Sequence, residues 1–241
     1  MNITEENTVA EIVTENIKTS DIFKKYGIDF CCGGGISIKK VCEKHHISFD
    51  ELKNDLLKIN ETAPKYYDFN SWNLTFLASH IENIHHTYVA ENTLLIQQYA
   101  SKVAKVHGHH YQEVIKINNL FNEVAKELAS HMKKEELILF PFIKNLEKAD
   151  KEGVKVKIPH FGTIHNPIKM MEEEHESAGD ILKEIKKLSN NYTPPMDACN
   201  TFKALYAKLD EFEQDLHQHI HLENNILFPK AILLEQKNSL I

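Results

Sequence analysis

The sequence predicts an all-α protein, an antiparallel four-helix bundle preceded by a small helical N-terminal domain. Three observations carry that expectation. Apolar residues recur at three- and four-residue spacing along almost the whole chain, and strand-like alternation is nearly absent. Breaks containing Pro, Gly and Asn divide the chain beyond residue 70 into four long helical segments.

The elements follow in order. Residues 1–60 form the small domain, with two or three short helices around the break FCCGGG (30–35). A linker at 61–70 contains Ala63-Pro64 and two tyrosines, and residues 71–241 make the bundle. The first long helix runs over about 71–106 and the second over about 110–148. A loop rich in Gly and Pro then leads to Asn166-Pro167. Asn can cap a helix there, and Pro has no N–H to lose at the first helical position. That third helix reaches about Leu188. Thr193-Pro194 opens the fourth in the same way, and it continues to Phe228 or beyond. Pro141 and Pro229 are expected to kink or end their helices.

Composition narrows the function. At a formal net charge of -7, the chain has no general basic field for nucleic acid or an anionic membrane. No apolar run approaches the roughly 20 residues that span a bilayer. The acidic N-terminus lacks a signal-peptide core, and Cys31, Cys32, Cys42 and Cys199 do not resemble a secreted disulfide framework. A cytoplasmic location is the expectation.

Two stretches repeat one plan: HMKKEELILFP (131–141) and HIHLENNILFP (219–229). Residues four apart share a helix face. His131 and Glu135 therefore join the stripe of Val124, Leu128, Ile138 and Phe142, and His219 and Glu223 that of Phe212, Leu216, Ile226 and Leu227. A buried unpaired carboxylate is costly, and a metal ion removes the cost. His175 lies on a third apolar stripe with Ile168, Met171, Ala178 and Leu182. In the first helix, HIENIHHTYV offers His80, His85 and His86. The stripe of Leu74, Leu77, Ala78, Ile81 and Val89 favours His85. Repeat spacing favours His86, which precedes His131 by 45 residues as His175 precedes His219 by 44. The chain reads as a duplicated helix pair, each half giving one lone His and one His-x-x-x-Glu. The remaining histidines, His217 and His221 among them, are expected at the surface or supporting the ligands.

Four imidazoles and two carboxylates exceed a tetrahedral zinc site. With both glutamates bridging, two metals each receive two nitrogens and two oxygens. An oxo or hydroxo bridge makes a fifth donor and leaves an octahedral ion one open position. Such ligation suits iron or manganese and is nearer the hemerythrin type than the ferritin-like Glu-x-x-His sites.

YGIDFCCGGG, SHMKKEELILFP, MEEEHESAG, NNYTPPMDAC and HIHLENNILFP, in that order, resemble the Repair of Iron Centers family over residues 8–233. The resemblance implies a hemerythrin-like bundle holding two non-haem iron ions. It carries the ligands over as His86, His131, Glu135, His175, His219 and Glu223, with the second histidine of the pair as the first ligand. It implies repair of iron–sulfur clusters damaged by nitric oxide or oxidants, by supplying iron. Damaged iron–sulfur proteins or cluster-assembly proteins are the implied partners. The competing readings are a nitric oxide or peroxide reductase and a hemerythrin-like oxygen or redox sensor, with nitric oxide or oxygen as the small ligand. A third glycine in CCGGG and the long loop before His175 depart from the family pattern. The oligomeric state stays open, a homodimer included.

Cys31 and Cys32 are adjacent, which disfavours a disulfide between them, and the glycines beside them leave little cover. They are the candidates for thiol chemistry or iron transfer. Glu127, one turn before His131, and Glu174, next to His175, are candidates to support the ligands or shuttle protons. Ala178 and Gly179, one turn after His175, leave room for a small-ligand path.

Overall fold

In a computed structural model of the protein, residues 3–62, 67–157 and 159–239 are described. Among them all regular structure is helical, apart from one isolated bridge between Thr8 and Ser37. The N-terminal part has four short helices rather than two or three: α1 Val9–Glu15, α2 Thr19–Lys25, α3 Ile38–His45 and α4 Phe49–Thr62. Thr8 and Glu11 form a reciprocal capping box on α1. His46, at φ 56 in the left-handed region, stops α3 where periodicity alone would run on. Helix α4 extends into the expected linker, of which residues 63–66 lie outside the described residues.

The four long helices follow. The first comprises α5 Leu74–His80, a π turn Ile81–His86 and α6 Thr87–His107. The second comprises α7 Glu113–Lys134, a π turn Glu135–Leu139 and α8 Phe140–Glu152. The third is α9 His165–Leu188. The fourth comprises α10 Asn200–Leu222, a π turn Glu223–Leu227 and α11 Phe228–Ser239. Helix α6 packs on α7 and α10, and α7 packs on α9.

Two starts differ from expectation. Helix α9 begins at His165, so Pro167 is its third residue, still in the first turn where no intrahelical bond is lost. The fourth helix begins at Asn200, not at Thr193. Pro195 keeps Pro194 out of the helical region, and Asn190, Asn191 and Tyr192 are all left-handed, at φ 51, 54 and 57.

Pro141 and Pro229 do not end their helices. Each follows a π turn in which an N–H reaches five residues back, Phe140 to Glu135 O and Phe228 to Glu223 O. Such a turn inserts one residue and rotates the stripe beyond it. After Glu135 the buried residues are therefore Leu139, Phe140 and Ile143, whereas Ile138 is 40% exposed and Phe142 only half-buried, against the expected stripe. In the first helix the inserted residue brings both His85 and His86 inside. The single-residue disagreement between stripe and repeat spacing is the width of that turn.

The apolar core is split. One cluster joins the N-terminal helices, through Val9, Phe23 and Leu52, to Phe121, Leu128, Phe212 and Leu216 of the bundle. The other gathers Leu77, Ile81, Phe140, Ile168 and Phe228 at the far end. A buried polar layer lies between them. The Lys24–Asp210 ion pair (3.2 Å) and contacts of Phe30 with His217 and His221 also tie the N-terminal part to α10. No helix among the described residues is long and apolar enough to cross a membrane.

Candidate metal centre

The polar layer consists of the repeated motifs and their lone histidines. His86 closes its π turn, His131 sits in the last turn of α7, Glu135 opens the next π turn, and His175 lies mid-α9. His219 lies in the last turn of α10 and Glu223 opens the last π turn. None of the six is more than 3% exposed. Their ligand-capable atoms form two groups, each lying within 4.8 Å: His86, Glu135, His219 and Glu223, and His131, Glu135, His175 and Glu223. Glu135 and Glu223 belong to both. Glu135 Oε2 lies 3.4 Å from His86 Nε2 and 3.2 Å from His131 Nε2. Glu223 turns Oε1 to His219 Nε2 at 3.0 Å and Oε2 to His175 Nε2 at 3.2 Å. Each group pairs the lone histidine of one half with the motif histidine of the other.

His85 lies outside both groups. It is buried, bonds Asp215 Oδ1 through Nδ1 at 3.0 Å, and stacks on His219 with ring centres 5.7 Å apart.

Hydrogen bonding at Nδ1 decides which nitrogen faces the layer. His86 Nδ1 lies 2.8 Å from Glu136 Oε1, His131 Nδ1 2.9 Å from Glu174 Oε2, and His175 Nδ1 2.9 Å from Asn224 Oδ1. Carboxylate and amide oxygens accept, so each Nδ1 carries a ring proton, which leaves Nε2 as the nitrogen that faces the layer. His131 Nε2 and His175 Nε2 approach each other to 3.0 Å. Both oxygens of Glu135, Oε2 of Glu223 and Nε2 of His86 have no hydrogen-bond partner. Buried acceptors that converge without donors fit a cation.

The charges agree. Burial and the neighbouring Glu223 push the Glu135 carboxyl up, but the imidazoles of His131 and His86 outweigh them and hold it below the usual carboxylate range. Burial also raises Glu223, and His219 and His175 overcome it by more, leaving it well below. Two negative charges thus sit in a closed apolar box. Without a metal, protons must balance them: burial lowers His131, yet Glu135 and Glu174 drive it up to about 10. A divalent ion would take the place of such a proton.

The other predicted residues separate. Glu174 bonds His131 Nδ1 and pairs with Lys134, and the bond from His131 holds it down at about 2. Glu127 instead accepts from Ser177 Oγ at 3.3 Å near the surface. Gly179 is buried, and a Cβ there would meet no atom within 4 Å, so space exists one turn from His175. Cys31 is 4% exposed and Cys32 is exposed; their sulfurs are 3.9 Å apart and both thiols are free. Asp29 accepts from Cys31 N, Cys32 N and Cys31 Sγ at 3.0, 3.2 and 3.2 Å. The contact with Cys32 and burial push the Cys31 thiol well up. An open groove of about 570 Å³ runs from both cysteines past Glu173 and Glu176 to Asn224 and Asn225.

Sequence reasoning missed Glu136 and Asn224. Each directly follows a motif glutamate and reaches the lone histidine of its own half. His217 and His221, expected at the surface or supporting the ligands, instead flank Phe30, and burial pushes His221 down to about 4.

The family description "Hemerythrin HHE cation binding domain" matches residues 77–231, and ScdA_N, a domain of unknown function, matches residues 5–60. The iron–sulfur cluster repair protein ScdA of Staphylococcus haemolyticus is 32% identical over 95% of this chain and 99% of its own length. The iron–sulfur cluster repair protein YtfE of Escherichia coli O81 is 35% identical over 93% and 96%. The probable iron–sulfur cluster repair protein of Haemophilus influenzae is 33% identical over the same shares.

Proposed function

The chain belongs to the hemerythrin-type family of iron–sulfur cluster repair proteins, and on that premise we propose that it holds two iron ions in the polar layer and repairs clusters damaged by nitrosative or oxidative stress, by supplying iron. One ion would lie between His86 and His219 and the other between His131 and His175, with Glu135 and Glu223 spanning both. The observation that carries this reading is the two fully buried groups of ligand-capable atoms that share Glu135 and Glu223, three of whose carboxylate oxygens have no hydrogen-bond partner.

Iron in this donor set supplies one-electron chemistry and is itself the cargo for repair. The chain's own groups do the rest. Glu136, Glu174 and Asn224 fix three imidazole tautomers. Phe140 and Phe228 stack on His86 and His175 and exclude water from them. We assign transfer of iron to the groove bordered by Cys31 and Cys32, because it ends at Asn224, the residue on His175. Damaged iron–sulfur proteins or cluster-assembly proteins would meet the chain there. The free thiols and the lack of a membrane-spanning helix among the described residues support action in the cytoplasm.

The test is the metal content and Mössbauer spectrum of protein from iron-grown cells. Two irons per chain, lost in Glu135→Ala and Glu223→Ala, are expected; a single metal, or zinc, overturns the pairing. A Cys31→Ser/Cys32→Ser variant with its iron and full repair activity would remove the thiols from the reading. The space at Gly179 favours one second reading, reduction of nitric oxide or peroxide at the same centre. Catalytic turnover with an electron donor is its test.

A further inference from the structure

The two motifs are near copies, and the place where they part is informative. The residue two after the motif glutamate is Leu137 in the first half, where its side chain is 75% exposed. In the second half it is Asn225. Its Nδ2 donates to the carbonyl of Cys31 at 3.2 Å and lies 3.0 Å from Nδ1 of the buried His221. Three consecutive residues of one π turn thus have three different partners. Glu223 stands between the two ligand groups, Asn224 holds His175, and Asn225 holds the backbone of the thiol pair.

We propose that this turn makes the presentation of Cys31 and Cys32 depend on whether the metal centre is filled, with Asn225 as the positioning residue that transmits it. The proposal rests on the metal reading above. A π turn is a less regular arrangement than an α-helix and persists where its surroundings hold it. Here the holding groups are Glu223 at the centre and Asn224 on His175. With ions bound on both sides of Glu223 the turn has one position. With the ions removed, Glu223 loses its restraints and the turn can relax toward α-helix, which turns Asn225 away from Cys31. The cysteine segment has few other ties on this side: Phe30 rests on His217 and His221, and Asp29 pairs with Lys183 at 3.6 Å. Linkage is reciprocal, so a partner or reagent that captures Cys32 must change iron affinity by the same factor. A target protein engaging the thiols would thereby loosen or tighten the iron it is to receive.

The experiment uses the full chain with Cys199→Ser, which removes the other exposed thiol. The rate of Cys32 with an aromatic disulfide reagent is measured in iron-loaded and chelator-stripped protein, with iron counted in each sample. We expect the two rates to differ by at least about fivefold, the lower end of ordinary coupling. In Asn225→Ala the difference should vanish while iron content stays the same, and Asn225→Gln, which keeps an amide donor, should restore part of it. Blocking Cys32 with iodoacetamide should shift iron affinity in chelator competition, and Asn225→Ala should abolish that shift as well. Equal rates in the loaded and stripped parent, or a difference that survives in Asn225→Ala, overturn the link while leaving the metal reading intact. A parent that binds no iron refutes both.

Discussion

Deleting Leu137 is a severe test of the π turns. If Glu135–Leu139 is an α-helix with one inserted residue, removing that residue leaves everything on both sides facing as before. Leu137 is 75% exposed, so its side chain takes little with it. What goes is the geometry that lets Glu136 reach His86 Nδ1 at 2.8 Å, a charge-assisted bond worth about 1.5–3 kcal/mol. For a chain of this size that is a fall in melting temperature of roughly 3–12 °C, with weaker metal binding. If instead the helix were regular, the deletion would rotate all later residues by about 100°. Phe140, Ile143 and Leu146 would leave the core, at about 2–5 kcal/mol each, together enough to exhaust the stability of an ordinary domain. Circular dichroism melting separates the cases. Deleting exposed Glu123, in the regular middle of α7, is the control and should abolish folding. A Leu137 deletion that fails to fold would refute the reasoning.

Three further outcomes are expected. Glu147, buried on α8, accepts from the Thr75 N–H at the start of α5, and although burial raises its carboxyl, the bonds from Thr75 hold it below the usual range. A lowered folded-state pKa gives stability that is complete above the unfolded value and is lost as pH falls through the folded one. Glu147→Gln should therefore cost about 1 kcal/mol at pH 7, and urea melts should show that gap closing as pH falls below about 4. At Gly34 a Cβ would come 2.4 Å from Phe30 O, a backbone atom, so Gly34→Ala should lower stability by about 1–3 kcal/mol in urea melts. Gly35→Ala, with nothing within 4 Å, should be neutral, which makes the third glycine of the run dispensable. Chelator should strip iron in two phases, the ion between His86 and His219 leaving first, because His219 Nδ1 alone among the four ligand imidazoles has no partner. Glu174→Gln should bring the phases together by weakening the second ion about 10–100-fold, and single-phase release from the parent protein would count against this order.

Much of this was legible in the residues, and the reason is the repeat. A helical fold and five residues of the polar layer follow from apolar stripes interrupted twice in the same way, the sixth, His86, followed from the family resemblance, and the structure brings the six together. The π turns were not legible, because a stripe is read at a constant 100° per residue. That one assumption misplaced Ile138 and Phe142 and left His85 and His86 undecided. Glu136 and Asn224 were hidden for another reason, since they lie off the apolar stripes and read as surface residues. The start of α10 was missed for a different reason. Proline marks the neighbourhood of a helix start, but where two prolines adjoin, the second holds the first extended and delays the helix.

The duplication also explains why the site needs both halves. Within each half the motif helix serves its own lone histidine: Glu136 bonds and Phe140 stacks on His86, as Asn224 bonds and Phe228 stacks on His175. The repeated Phe-Pro therefore has a task, with the phenylalanine as a lid and the proline following the turn that aims it. Ligand groups, by contrast, form only across halves. Across the halves Glu174, just before His175, holds His131. The matching residue before His86 is His85, which turns its Nδ1 to Asp215 and offers His219 a ring face instead of an acceptor. A centre built from two equal halves thus becomes unequal at a single position, with both imidazoles of one ligand group braced and those of the other braced on one side. Under the proposed role, in which iron is held and then given up, that inequality would provide an order of release without a second kind of site.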